Sequence, residues 1–259
     1  MLIFKQILAL VCLLPTVLFA QTWHVQSTDT QIAVLELFTA EGCGLCPAAD
    51  RWVAKLPEQG ITEQELIVLG FHIDYLDDKK GWIDSFASPV FSERQRQLAR
   101  LNLYQTVYTP EFVISGEIIH NWQKYVREVV KAVNGFKPEA RIALDVSQET
   151  NQLIVNTSLK IDGAENRQFS VLYLAVTEDN IISKVGGGDN AGATFNHQHL
   201  VRKWLGPFKL DSNGETNIST EIKLDEAWNT KNLKLVAVVQ NLNDGFVLQG
   251  LSLPLTNKE

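Results

Sequence analysis

The sequence predicts two unlike halves that meet near Gly135, an α/β half followed by an all-β antiparallel half. Three observations carry this. Up to Gly135, apolar runs of strand length alternate with amphipathic helical segments. From Pro138 onward the chain is almost entirely short alternating runs, divided by the turn pairs Asp162-Gly163, Asn213-Gly214 and Asp244-Gly245. Finally, one Cys-x-x-Cys, Cys43 and Cys46, falls where the first strand runs into the first helix.

Each element has its own reason. Ile32 to Phe38 (IAVLELF) reads as a buried strand. In the segment that follows, Pro47 suits a first helical turn, and Ala49, Trp52, Val53 and Leu56 share one face until Pro57 and Gly60 stop the helix. Leu66 to Asp74 (LIVLGFHID) is a second apolar strand. After a long insertion, Ser88-Pro89 supplies a cap and first-turn pair for the helix VFSERQRQLARLN. VYTPEFVISGEIIHNW reads as a hairpin turning at Ser115-Gly116. Trp122, Tyr125, Val126, Val129, Val130 and Val133 then keep helical spacing, closed by Asn134-Gly135. Strand, helix, strand, helix, hairpin, helix is the element order of the thioredoxin fold. The expected fold class is therefore an α/β thioredoxin-like N-terminal domain over 21–137, followed by an all-β antiparallel sandwich domain over 138–259. A Gly/Asn stretch from Val185 to Trp204 interrupts the second half and leads into a polar strand or helix start.

The first 20 residues have the layout of a secretory signal: Lys5, an apolar run from Ile7 to Phe19, then the small residue Ala20. The run is short for a membrane anchor, so the mature chain is expected to be periplasmic or secreted, with no membrane span after cleavage. About 240 residues then remain, a length that suits two domains. Of three cysteines, Cys12 would leave with the leader. The two that remain sit too close together to staple distant segments. A net charge of −7 without a basic stripe argues against nucleic acid.

Only a thiolate attacks a disulfide, and a helix N-terminus lowers a thiol pKa through its unpaired N–H groups and partial positive charge. That position makes Cys43 the expected nucleophile. The two-residue spacing makes Cys46 the resolving thiol. Two other readings of the pair stay open, a static local disulfide and half of a zinc site. Thr109-Pro110 lies just before the hairpin, where resemblance to the thioredoxin fold implies a cis proline facing the pair and presenting a substrate chain; an ordinary trans proline at a strand start is the alternative. His72 and Asp74, late in the second strand on one face, are candidates for proton transfer. Glu41 reads either as a charge opposing the thiolate or as a solvated acid. His197 and His199 form an H-x-H with a usable metal geometry, but without a third ligand the pair reads as surface or loop histidines and no metal is expected. Copper held by the cysteines and a histidine is the alternative if the Gly/Asn loop folds back over Cys43. Arg202 would suit a substrate carboxylate or a backbone carbonyl.

VLELFTAEGCGLCPAADRWVAKL, FHIDYLDDKKGWIDSFASPVFSERQ and VYTPEFVISG resemble the secreted thioredoxin-like family catalogued as domain of unknown function 1223. GGGDNAGATFNHQHLVRKW is similar to the same family's later stretch, with Ala193 where a basic residue is expected. The resemblance implies the fold and the reactive pair but names no substrate. Thioredoxins carry a buried acid before the strand's Phe as proton acceptor for the resolving thiol. Here that place is Leu37, and Glu36 points to the other face. The expected function is exchange with protein thiols and disulfides, recharged by an unidentified redox partner and needing no cofactor. The rivals are a metal-binding module built on the cysteines and a histidine, and a non-enzymatic interaction protein.

Overall fold

The computed structural model describes residues 21–78 and 81–256. The expected leader at 1–20 lies outside the described residues. The first part of the chain forms β1 (Gln21–Gln26), β2 (Ala33–Thr39), α1 (Cys46–Ala54), β3 (Leu66–His72), α2 (Pro89–Leu101), β4 (Glu111–Ile114), β5 (Glu117–Ile118) and α3 (Trp122–Asn134). The rest forms β6 (Ala140–Glu149), β7 (Gln152–Ile161), α4 (Ala164–Phe169), β8 (Ser170–Glu178), β9 (Ile181–Lys184) and β10 (Thr194–His197). It ends with β11 (Leu200–Lys209), β12 (Glu215–Lys223), β13 (Leu233–Asn241) and β14 (Val247–Pro254). No described helix is long and apolar enough to cross a membrane.

Local rules account for the helices of the first half. Ser88 caps α2, its hydroxyl accepting from Val90 N, and Pro89 occupies the first turn. Gly135 caps α3, whose apolar stripe buries Val126, Val130 and Val133. β2 and β3 pair in parallel from Ala33↔Leu66 to Thr39↔His72, and β4 lies antiparallel on β2 with Phe112 opposite Leu37.

The expected fold class is not what forms. In place of an α/β thioredoxin-like domain beside a separate sandwich, strands from both sides of residue 137 build one eight-stranded mixed sheet, ordered β14-β13-β8-β11-β3-β2-β4-β5. The seam is a parallel contact of β11 on β3, Leu200 opposite Gly70. Gly70 N donates to His199 O at 2.8 Å. A Cβ at Gly70 would stand 3.3 Å from that carbonyl, which explains a glycine in mid-strand. The physical cause is burial on both faces. β8 is buried at all nine positions, so it has no solvent face to offer as the outer strand of an independent sandwich.

Three apolar layers follow. One face of β8 and β13 (Leu172, Leu174, Leu235, Ala237) packs on the four-stranded sheet β1-β6-β7-β12. The other face (Tyr173, Ala175, Val236, Val238) meets Val34, Phe38, Leu69 and Phe71 of β2 and β3. The far side of β2, β3 and β4 is covered by α1 and α3 through Ala49, Val53, Val126 and Val130. Each fully buried aliphatic side chain here contributes about 1.5–3 kcal/mol. The middle layer also holds an ion pair that crosses the seam. Arg94 of α2 grips Glu36 of β2 at 2.7 Å through both Nε and Nη2, and its Nη1 donates to Gln240 of β13 at 2.8 Å. Its guanidinium lies 4.8 Å from the ring centre of Tyr173 and 5.2 Å from that of Trp204. With Nε, Nη1 and Nη2 all donating to partners, this pair fixes α2 to both halves.

Candidate functional site

β2 ends at Thr39, and the chain turns sharply before α1. Cys43 N donates to Ala40 O at 3.1 Å and Cys46 N to Cys43 O at 3.2 Å. Pro47, with no N–H to leave unpaired, sits in the first helical turn. The turn brings the two cysteines together as a disulfide, their Cα atoms 5.4 Å apart. Their surroundings differ. Cys46 is fully sealed at 0% exposure, whereas Cys43, at 7%, forms part of the wall of an open cleft of about 530 Å³. Leu45, Leu76, Trp82 and Thr109 line the same cleft, so its surface is largely apolar. Leu45 stands 73% exposed at the rim. The Thr109-Pro110 bond is cis, and Thr109 lines the same cleft as Cys43.

Below this surface lies a buried polar network. Glu41, two residues before Cys43, is only 2% exposed and is not a solvated acid. Its Oε1 accepts from Ser183 Oγ and lies 3.1 Å from His197 Nε2, and its Oε2 accepts from Trp82 Nε1 at 3.0 Å. Burial pushes Glu41 up, but the hydrogen bonds from His197, Ser183 and Trp82 outweigh it and hold the carboxyl below its usual range. Asp84 joins the network from the loop before α2. Its Oδ2 accepts from Glu41 N at 2.8 Å and lies 2.7 Å from His72 Nδ1. Burial disfavours the imidazolium, yet Asp84's charge and hydrogen bond raise His72 above its ordinary value. The same pairing, working against burial, lowers Asp84. The His72 and His197 rings meet edge to face with centres 4.9 Å apart.

The Gly/Asn stretch of the second half closes over the cysteine loop as a strap. Asn190 Nδ2 donates to Glu41 O at 2.7 Å and to Cys43 O at 2.8 Å, and Asp189 N donates to Gly42 O at 3.3 Å. Gly188 adopts φ +70°, and a Cβ there would stand 2.9 Å from Gly42 Cα. Only glycine permits both the turn and the approach.

The structure therefore gathers Cys43, Cys46, Thr109, Pro110, His72 and His197 at one end of the sheet. It separates two residues from this group. Asp74 lies past the end of β3, where Ser92 Oγ donates to its Oδ1 and Asp74 N donates back to Ser92 Oγ at 3.1 Å. It secures α2 and does not join His72. His199 has φ +55°, which turns it away from His197; its Nδ1 lies 3.5 Å from Asp179 Oδ1. Among the described residues, Glu63, Asp179 and His199 are the one group of such side chains close enough to share an ion. Lys234 Nζ already binds Asp179 at 2.8 Å and Glu63 beside it, so an ammonium supplies the positive charge there. Arg202 is held over the rings of Phe86 and Trp228, with Nε 3.4 Å from Glu178 Oε2. Asp84, Trp82, Ser183 and Asn190 escape a reading of the sequence, because each is polar, isolated and in a loop or short strand. Of the four, Asn190 alone carries a signal, the Gly/Asn run around it, which marks close backbone approach.

The profile of the family described as Protein of unknown function (DUF1223) matches residues 34–240. No curated protein matches the chain. Among solved structures, HBP35 of Porphyromonas gingivalis is similar at 18% identity with a TM-score of 0.70, over 88% of this chain and 76% of that one. Protein AGR_C_4864 from Agrobacterium tumefaciens is similar at 19% identity with a TM-score of 0.61, over 90% of this chain and 98% of that one. At such identities the likeness is one of fold alone.

Proposed function

The chain belongs to the DUF1223 family of proteins of unknown function, and from that premise we propose that it is an exported thiol–disulfide exchange protein acting on disulfides of polypeptides. One observation supports this most: Cys43 is reachable from an open apolar cleft while its partner Cys46 is sealed. A pair built as a static staple has no need of that asymmetry, but an attacking and a resolving thiol require it.

In the reduced protein, Cys43 at the N-terminal end of α1 attacks one sulfur of a substrate disulfide. The substrate S–S bond breaks, a mixed disulfide forms at Cys43, and the first substrate thiolate leaves. Cys46 then attacks Cys43 Sγ, releasing the second substrate thiolate and forming the Cys43–Cys46 disulfide. The substrate is reduced and the protein pair oxidised, and an external dithiol of a redox partner restores it. Leu45, Leu76 and Trp82 give the substrate chain an apolar bed, and Thr109, at the cis bond to Pro110, lines the same cleft as Cys43. Asn190 holds the Cys43 carbonyl and so fixes the loop that aims the sulfur. The metal reading draws no support from His197, whose Nε2 is engaged by Glu41 and Ser183.

The test is reactivity. Alkylation of reduced Cys43 followed against pH, together with equilibration in glutathione buffers, is expected to give a thiol pKa below the ordinary value of about 8.5. A defined two-electron potential and reduction of a protein disulfide are expected with it. An unshifted thiol that reduces no protein disulfide contradicts the proposal.

A further inference from the structure

Cys46 can resolve a mixed disulfide only as thiolate, and it is fully buried at the first turn of α1, where water does not collect its proton. The place on β2 where a buried acid would serve is Leu37. Around Leu37, however, lies a small cavity of about 20 Å³, room for about one water molecule. Its polar lining comes from Thr39 of β2, Asp50 of α1 and His72 of β3, with Asn196, His197 and Gln198 in and just after β10.

Asp50 has the required position. It lies four residues after Cys46, one helical turn along the same face, and a helical side chain leans back over the turn N-terminal to it. Its Oδ2 accepts from Thr39 Oγ1 at 3.3 Å. It also has an exit. A second cleft, of about 350 Å³, opens behind α1 between Pro47, Arg51 and Phe195, and its floor is Asp50 and His197. Asp50 therefore stands between the internal cavity and a cleft that shares no lining residue with the substrate cleft.

We infer that Asp50 is the proton acceptor for Cys46, and that the cleft behind α1 is the route by which the proton leaves. The inference rests on the exchange reading above. The Cys46 S–H proton passes to the Asp50 carboxylate, and the Cys46 electron pair forms the bond to Cys43 Sγ. The substrate sulfur departs with the electrons of the broken bond, and Asp50 then loses its proton through the cleft. Burial raises Asp50 above the usual carboxylate range; the charges of His72 and His197 and the Thr39 hydrogen bond oppose this, and Asp84 adds to it. A carboxyl shifted upward in this way is better matched to exchanging a proton with a thiol than a solvated one.

The experiment mixes the reduced chain, carrying Cys12→Ser so that Cys43 and Cys46 are its two thiols, with dithiobis(nitrobenzoate), a chromogenic aromatic disulfide. Attack by Cys43 releases the first coloured thiolate, and resolution by Cys46 releases the second. In Asp50→Asn the first release is expected to keep its rate and the second to slow about tenfold or more at pH 7. The gap should close as pH rises above about 8.5, where a thiol ionises unaided, and Asp50→Glu should recover part of the rate. A second phase unchanged in Asp50→Asn, or slowed equally at every pH, overturns the role of Asp50 while leaving the exchange reading intact. A wild-type protein with no second release sinks both. If Asp50→Asn fails to fold, the wild-type pH profile of the second phase decides. An inflection between the carboxylate and thiol ranges is expected, and a single inflection in the thiol range overturns the inference.

Discussion

Glu111 follows Pro110 directly and is sealed at 1% exposure. Its Oε2 accepts from Gln95 Nε2 at 2.8 Å, and its Oε1 has no partner among the described residues. Burial raises its pKa to about 7, against a weaker lowering by the Gln95 hydrogen bond. The folded protein thus prefers Glu111 neutral, whereas the unfolded chain ionises it in the ordinary carboxylate range. Its contribution to stability is full below that range and is lost as pH rises through about 7. The shift corresponds to at most about 3 kcal/mol. Glu111→Gln, which imitates the neutral acid, should therefore flatten the fall in stability between pH 5 and about 8 in urea unfolding. An unchanged slope would show that Glu111 is not buried as described. At this scale the sequence announces the cysteines, Thr109-Pro110 and His72, because motif and position identify them. It hides Asp50, Asp84 and Glu111. An acid looks alike in sequence whether solvated or buried, and only the packing of β3, β10 and α1 around it decides.

Elements formed by local chemistry are the ones the sequence gives away. The Ser88-Pro89 start of α2, the valine stripe of α3 and the turn at Ser115-Gly116 all depend on residues within a few positions of each other. The short helix α4, Ala164–Phe169, has no buried face and so no apolar stripe to detect. The strap from Val185 to Ala193 is legible as a glycine-rich interruption, but its destination is not, because its partners lie about 150 residues earlier. Those partners make a prediction. Gly188→Ala would add a Cβ 2.9 Å from Gly42 Cα at a left-handed φ of +70°. It should cost about 1 kcal/mol or more and loosen the strap from the cysteine loop. Reduced Cys43 should then alkylate several-fold faster than in the native protein. Equal rates in a folded variant would mean that the strap does not govern access to Cys43.

At the scale of the whole molecule, the expected division at residue 137 gives way to shared structure. FSVLYLAVT and LKLVAVVQ are nearly continuous apolar runs, and such runs belong to strands buried on both faces. Read that way, they signal that β8 and β13 must be covered from two sides, which a lone sandwich beside an independent first half does not provide. Arg94, reaching Glu36 on one side and Gln240 on the other, ties the same seam. Unfolding in urea should therefore be a single transition with coincident far-ultraviolet and tryptophan signals. Two separated transitions would show that the halves on either side of residue 137 fold independently.

The account's central claim is that Cys43 attacks and the sealed Cys46 resolves, and trapping measures it most directly. Reduced Cys46→Ser, incubated with a disulfide-containing polypeptide, should accumulate a long-lived mixed disulfide at Cys43. Cys43→Ser under the same conditions should trap none. Equal trapping by both variants, or trapping by neither, would contradict the account.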